Sequence, residues 1–157
     1  MYVSRFVRMI RVAGCAATMF ALRPVAAQSA SPVSIQLSAA GLLISGGGVP
    51  GVEVQARYTG NRASVGGGYQ LFVREGARSD ILFIEPRLRL ANTAKTAVYG
   101  AARIGFVVSS SAAVFGGGGG ILINVGSGRN VDLGAQVYSA DAKSVITQVR
   151  AGLSLGF

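Results

Sequence analysis

From residue 28 onward the chain alternates. Apolar side chains recur at every second position across eight segments, 33–44, 51–59, 63–73, 81–91, 97–109, 112–125, 131–139 and 144–157, separated by short clusters of Gly, Ser, Asn and Pro. A period of two belongs to strands, whose successive side chains point to opposite faces. After residue 28 no stretch carries apolar residues at helical spacing. The pattern therefore predicts an all-β protein of eight antiparallel strands, a barrel or a sandwich. Most segments run nine to fourteen residues, longer than the roughly five or six of soluble sheets. About ten residues tilted near 40° cross the apolar part of a membrane.

The two faces differ in kind. The second segment sets Val52, Val54, Ala56 and Tyr58 against Glu53, Gln55 and Arg57. The fourth sets Leu82, Ile84, Pro86, Leu88 and Leu90 against Ile81, Phe83, Glu85, Arg87 and Arg89. In a soluble barrel the apolar face points inward; in a membrane barrel it meets lipid and the other face fills the lumen. The less apolar face here mixes isolated charges with Gly, Ala and Ser, and the only lysines, Lys95 and Lys143, fall in predicted turns. That is a poor surface for water and a good filling for a narrow lumen, because eight strands leave just enough room for side chains. Glycine runs at Gly66–Gly68 and Gly116–Gly120 lie within predicted strands. They would weaken a flat sheet and relieve crowding in a tightly curved one. No Lys-Ser/Thr follows Gly120, so this is not a phosphate-cradling P-loop.

The first 27 residues read as an export signal. Arg5, Arg8 and Arg11 precede an apolar run from Val12 to Leu22, and Val25-Ala26-Ala27 offers a small-x-small cleavage site. The run is shorter than the roughly 20 residues a membrane helix needs. Val12-Ala13-Gly14-Cys15 loosely resembles a lipobox, but Arg8 and Arg11 interrupt the apolar core it would require. Cleavage after Ala27 leaves residues 28–157 as one domain without cysteine, so disulfides and thiol catalysis drop out. Removing Arg5, Arg8, Arg11 and Arg23 from 15 basic residues leaves 11 against 6 acids, a net charge of +5. No basic run carries interleaved aromatics, so nucleic acid is not an expected partner. The chain has no histidine, which removes Ser-His-Asp triads, His-based metal sites and His general acids.

The final residues, Gly152-Leu153-Ser154-Leu155-Gly156-Phe157, alternate and stop on an aromatic. With the strand count and the export signal, they resemble the small eight-stranded outer-membrane barrels of the OmpA/OmpX type over essentially the whole mature chain. The resemblance implies a closed up-and-down antiparallel transmembrane barrel in the cell outer membrane, monomeric, surrounded by outer-membrane lipids. It also implies that Gly152, Leu153, Leu155 and Phe157 form the signal read by the barrel-assembly machinery. Both termini would face the periplasm, with turns 60–62, 92–96 and 126–130 on that side and 45–50, 74–80, 109–112 and 139–144 outside.

A charge network is expected in the lumen, because Glu53, Arg57, Glu85, Arg87, Arg89, Arg103, Asp132 and Arg150 share the less apolar face. An Arg facing lipid at mid-membrane costs roughly 2–4 kcal/mol. A turn centred on Ala94 sets Glu85 opposite Arg103, Arg87 opposite Ala101 and Ile84 opposite Ile104, with Asp132 and Arg150 as a weaker pair. Pro86 is the hazard, since a bulge there would shift the register. No catalytic, cofactor or metal residue stands out. The expectation is a non-enzymatic barrel with a plugged polar lumen and a structural or interaction role. Two other readings stay open: a soluble periplasmic barrel carrying a lipid, and an outer-membrane enzyme acting on lipids.

Overall fold

The computed structural model describes residues 32–44, 47–74, 76–140 and 144–157. Residues 1–27, read above as an export signal, and Cys15 within them lie outside the described residues. Eight strands follow in order: β1 (Val33–Ile44), β2 (Gly47–Thr59), β3 (Ala63–Arg74), β4 (Ala77–Asn92), β5 (Thr96–Val107), β6 (Ala113–Gly126), β7 (Arg129–Ala140) and β8 (Ser144–Gly156). Each pairs antiparallel with its sequence neighbour, and β8 closes on β1. An even count of antiparallel strands brings both termini to one end, where Phe157 N–H donates to the Val33 carbonyl at 3.0 Å. This is called the near end below.

All eight predicted strands are present, and several run further than the alternation suggested. Gly47, Gly48 and Pro50 were expected in a turn, yet β2 starts at Gly47 and pairs Ile44 with Gly47 and Gly41 with Pro50. Likewise Arg74 pairs with Ala77. Glycine and proline clusters read as turns in sequence, but the neighbouring strand of each hairpin supplies a partner for the backbone there. At the near end, the β6–β7 turn places Ser127 and Gly128 at φ 53° and 70°. Positive φ at successive residues matches the right-handed twist of a tight hairpin.

The β4–β5 register is the expected one, with Ile84 opposite Ile104, Arg87 opposite Ala101 and Arg89 opposite Tyr99. Pro86 does not shift it. Proline lacks the N–H a ladder needs; Glu85 and Pro86 pair with Gly66 and Val65 on β3, while the β5 ladder steps from Ile84 to Arg87. The shift instead falls between Arg89 and Ala91, near the turn.

The apolar face points outward. Leu37, Ile84, Leu88, Leu90, Ile104 and Phe106 are exposed on the wall, whereas Glu53, Gln70, Glu85 and Asp132 are fully buried inside. A wall of exposed aliphatic side chains around a buried polar interior inverts the soluble arrangement and suits lipid. The interior is not polar throughout, which corrects the expectation of a polar lumen. Leu42, Val49, Phe72, Ile81, Phe83, Val114 and Tyr138 form a packed apolar cluster inside the end opposite the termini. These residues occupy inward positions near the far turns, where the alternation gives no warning because both faces are apolar.

Candidate functional site

The lumen centre holds the most concentrated chemistry of the molecule. Five of the eight strands contribute a charged side chain to it: Glu53 and Arg57 from β2, Glu85 and Arg87 from β4, Arg103 from β5, Asp132 from β7 and Arg150 from β8 supply the charges, and β1 and β3 supply Gln36 and Gln70. That count includes neither of those glutamines, so β1 and β3 join through neutral amides. Inward parity alone places each of them, since a side chain two residues along a strand returns to the same face.

Glu85 is the hub. Its Oε2 lies 2.6 Å from Arg103 Nη2 and 2.8 Å from Arg150 Nη1, and its Oε1 lies 2.7 Å from Arg87 Nε and 2.9 Å from Arg57 Nη2. Gln136 Nε2 also donates to Oε2 at 2.6 Å. Glu53 accepts from Arg103 Nη2 at 2.9 Å and from Arg150 Nη1 at 3.2 Å. Asp132 accepts from the Tyr99 hydroxyl at 2.5 Å, faces Arg87 Nη1 at 2.8 Å, and lies 3.9 Å from Arg150. The Asp132–Arg150 contact is the looser one because Arg150 is opposed by Gly134, one diagonal step away.

Buried charges are tolerated only when paired and hydrogen-bonded. Here Arg150 grips both oxygens of Glu85 in a bidentate contact, the other arginines reach each carboxylate through one oxygen, and neutral amides fill the gaps. Gln70 and Gln148 accept from Arg103 Nη1 at 3.1 and 3.3 Å, and Gln55 accepts from Arg57 at 2.8 Å. The sequence reading put Gln55 and Tyr99 on the inward face but did not name them in the charge network, and it left out Gln70 and Gln148, which the same parity rule would have found. Arg103 also stacks on the Phe83 ring, 3.8 Å from its centroid, and joins the charged layer to the apolar cluster above it. Arg87 covers Tyr99 at 4.3 Å.

Arg89 is the exception among the eight predicted network residues. It stands at the near-end rim, half-buried, where its Nη1 donates to the Asn61 carbonyl at 3.2 Å. Arg89 sits next to the register shift and too far along β4 to reach the central carboxylates.

At the C-terminus, Gly152 sits inside against Ser38, while Leu153, Leu155 and Phe157 take the outward parity. Leu155 and Phe157 are exposed. The inward glycines of β6 serve the network sterically: a side chain at Gly118 would overlap the Ala135 carbonyl and Gln136, and one at Gly120 would meet the Tyr99 hydroxyl.

Solved structures with this geometry are small outer-membrane barrels. Neisserial surface protein A is 16% identical with a TM-score of 0.63, over 80% of this chain and 96% of that one. A de novo designed transmembrane β-barrel is 13% identical with a TM-score of 0.61, over 82% and 97%. The outer-membrane protein Ail of Yersinia pestis, in a phospholipid bilayer nanodisc, is 15% identical with a TM-score of 0.56, over 81% and 99%. No family model matches the chain, and no curated protein does either. The fold is thus the closed eight-stranded antiparallel barrel of small outer-membrane proteins.

Proposed function

We propose that this chain is a non-enzymatic outer-membrane protein whose barrel is sealed, serving a structural or interaction role as a monomer in lipid. The observation that carries this reading is the double closure of the lumen. A paired charge layer fills its centre and a packed apolar cluster fills its far end. A conducting pore needs a continuous wet path, and eight strands plugged in this way leave none. The lipid-carrier reading needs an apolar cavity inside, whereas the apolar depression of about 660 Å³ lies on the outer wall, floored by Ala56 and Gly67. The enzyme reading finds its acidic side chains bound to arginines in structural pairs.

Export through the N-terminal signal and recognition of the outward Leu153, Leu155 and Phe157 by assembly machinery belong to the same proposal. Its test is heat modifiability in detergent together with membrane partition. The purified chain is expected to migrate differently before and after boiling, to stay with carbonate-washed membranes, and to give no steady conductance in planar bilayers. Identical migration in both lanes with recovery in the soluble fraction would overturn the membrane reading. A large steady conductance would overturn the sealed lumen.

A further inference from the structure

Charge is distributed unevenly along the barrel axis. Three of the six acids, Glu53, Glu85 and Asp132, are buried in the lumen centre, and Asp80 lies towards the far-end rim at the start of β4. Glu75 and Asp141 fall in sequence between β3 and β4 and between β7 and β8. The near end carries Arg62, Arg89, Lys95 and Arg129 and not one acid among the described residues. Inside, four buried arginines (Arg57, Arg87, Arg103 and Arg150) face three carboxylates, which leaves one positive charge in excess.

The excess has a location. A cleft of about 30 Å³ opens at the near-end mouth, lined by Arg57, Arg62, Arg87 and Arg89 with Ser64 and Tyr99. No carboxylate among the described residues lines it. Two of its lining residues each carry a buried nitrogen without a hydrogen-bond partner, Arg57 Nε and Arg87 Nη1. Arg87 Nη1 is only 2.8 Å from Asp132 Oδ2, so its charge is answered. Arg57 is 6% exposed, and its Nε has no acceptor among the described residues. A buried donor left unmatched is costly.

We infer that this mouth is a binding site for a phosphate-type oxyanion, held by Arg57, Arg62 and Arg89 with the Ser64 hydroxyl at hand. Guanidinium forks match tetrahedral oxyanions through paired N–H donors. A bound anion would supply the acceptor that Arg57 Nε lacks and would balance the lumen charge. Lys95 and Arg129 on the same rim add a field that draws anions to the opening. The oxyanion can be free phosphate or the headgroup of an anionic phospholipid in the leaflet this rim touches. Only the second source rests on the membrane reading proposed above.

The test uses the full chain, with thermal unfolding followed by the boiled-gel shift and by circular dichroism. In neutral detergent, inorganic phosphate is expected to raise the unfolding midpoint by several degrees at constant ionic strength, and acetate is not, as linkage requires of a ligand bound only to the folded state. In nanodiscs, phosphatidylglycerol against phosphatidylcholine gives the headgroup arm. Stabilisation by phosphate in detergent points to the free anion; stabilisation by phosphatidylglycerol alone points to the headgroup. Arg62→Gln with Arg89→Gln, both outside the Glu85 contacts, is expected to weaken the apparent affinity roughly tenfold, the loss of about one charged hydrogen bond. Arg74→Gln at the far end is expected to leave it unchanged. Equal midpoints in every condition, equal response to acetate, or a response that survives the double variant would overturn the site. A chain that shows no heat modifiability at all would instead count against the barrel reading.

Discussion

Glu85 and Arg103 face each other across the β4–β5 hairpin, with Arg103 Nη2 2.6 Å and Nε 3.1 Å from the same carboxylate oxygen. Both side chains are buried, at 0% and 1% exposure. The β4–β5 ladder skips Glu85, and the flanking pairs, Ile84 with Ile104 on one side and Arg87 with Ala101 on the other, set it across from Arg103. The pair ties the hairpin to the rest of the lumen, because Arg103 also reaches Glu53 on β2 and Glu85 also reaches Arg150 on β8.

The two members are not equivalent. Removing a carboxylate from a lumen of four arginines and three acids widens the imbalance, and removing an arginine closes it. Glu85→Gln is expected to destabilise the folded barrel by about 3–5 kcal/mol, the range for stranding a buried charge. Arg103→Met is expected to cost less, roughly 1–3 kcal/mol, because Glu85 keeps three arginines and Glu53 keeps Arg150. Urea unfolding in lipid vesicles ranks them, and planar-bilayer recordings are expected to stay silent for both. A milder effect for Glu85→Gln than for Arg103→Met would contradict the charge count.

Tyr99 gives a smaller, separable effect. Its hydroxyl donates to Asp132 at 2.5 Å and accepts from Arg150 Nη2 at 3.1 Å. Tyr99→Phe keeps the ring under Arg87 and removes only these bonds. A loss of about 1–2 kcal/mol is expected, the cost of leaving a buried acceptor short of a donor. In a double-mutant cycle with Asp132→Asn the two losses should not add, since the residues are in contact. Strict additivity would show that the hydroxyl does not depend on Asp132.

How much of this was legible in the sequence follows from where the alternation is clean. Strands such as 81–91 put Leu82, Ile84 and Leu88 on one parity and Glu85, Arg87 and Arg89 on the other, with Arg103 at the same inward parity on 97–109, so face, register and the Glu85–Arg103 pair could all be derived. The far end could not, because Ile81 and Phe83 are as apolar as Leu82 and Ile84, and parity then says nothing about polarity. The glutamines were passed over since a neutral amide carries no sign to pair. Arg89 followed the parity rule but not the depth: parity fixes a face and leaves open the height along the axis, which the register shift at Arg89/Ala91 and the turn position decide.

The outward face makes its own prediction. Ile104 is 64% exposed at mid-wall, opposite Ile84. Ile104→Arg would put a guanidinium into hydrocarbon, and the expected loss in vesicles is about 2–4 kcal/mol. On a water-exposed wall the same change would be close to neutral. Folding yield and unfolding free energy in phosphatidylcholine vesicles distinguish the cases, and an unaffected Ile104→Arg variant would argue that this wall does not meet lipid.

The glycines of β5 and β6 separate by face in the same way. Gly118 points inward, and a Cβ there would overlap the Ala135 carbonyl and the Gln136 backbone, neither of which can move without breaking the β6–β7 ladder. Gly100 points outward, and a Cβ there would meet only Leu90 Cδ1 at 3.7 Å and the Gly118 carbonyl at 4.0 Å, ordinary contact distances. Neither glycine adopts a positive φ, so the difference is one of space and not of backbone strain. Gly118→Ala is therefore expected to cost about 1–3 kcal/mol through overpacking. Gly100→Ala is expected to be neutral or to gain about 0.4–1 kcal/mol by restricting the unfolded chain. Unfolding midpoints of the two variants, measured side by side in one detergent, decide the matter. Equal destabilisation by both would mean that these glycines serve strand curvature generally and not the room that Gln136 requires.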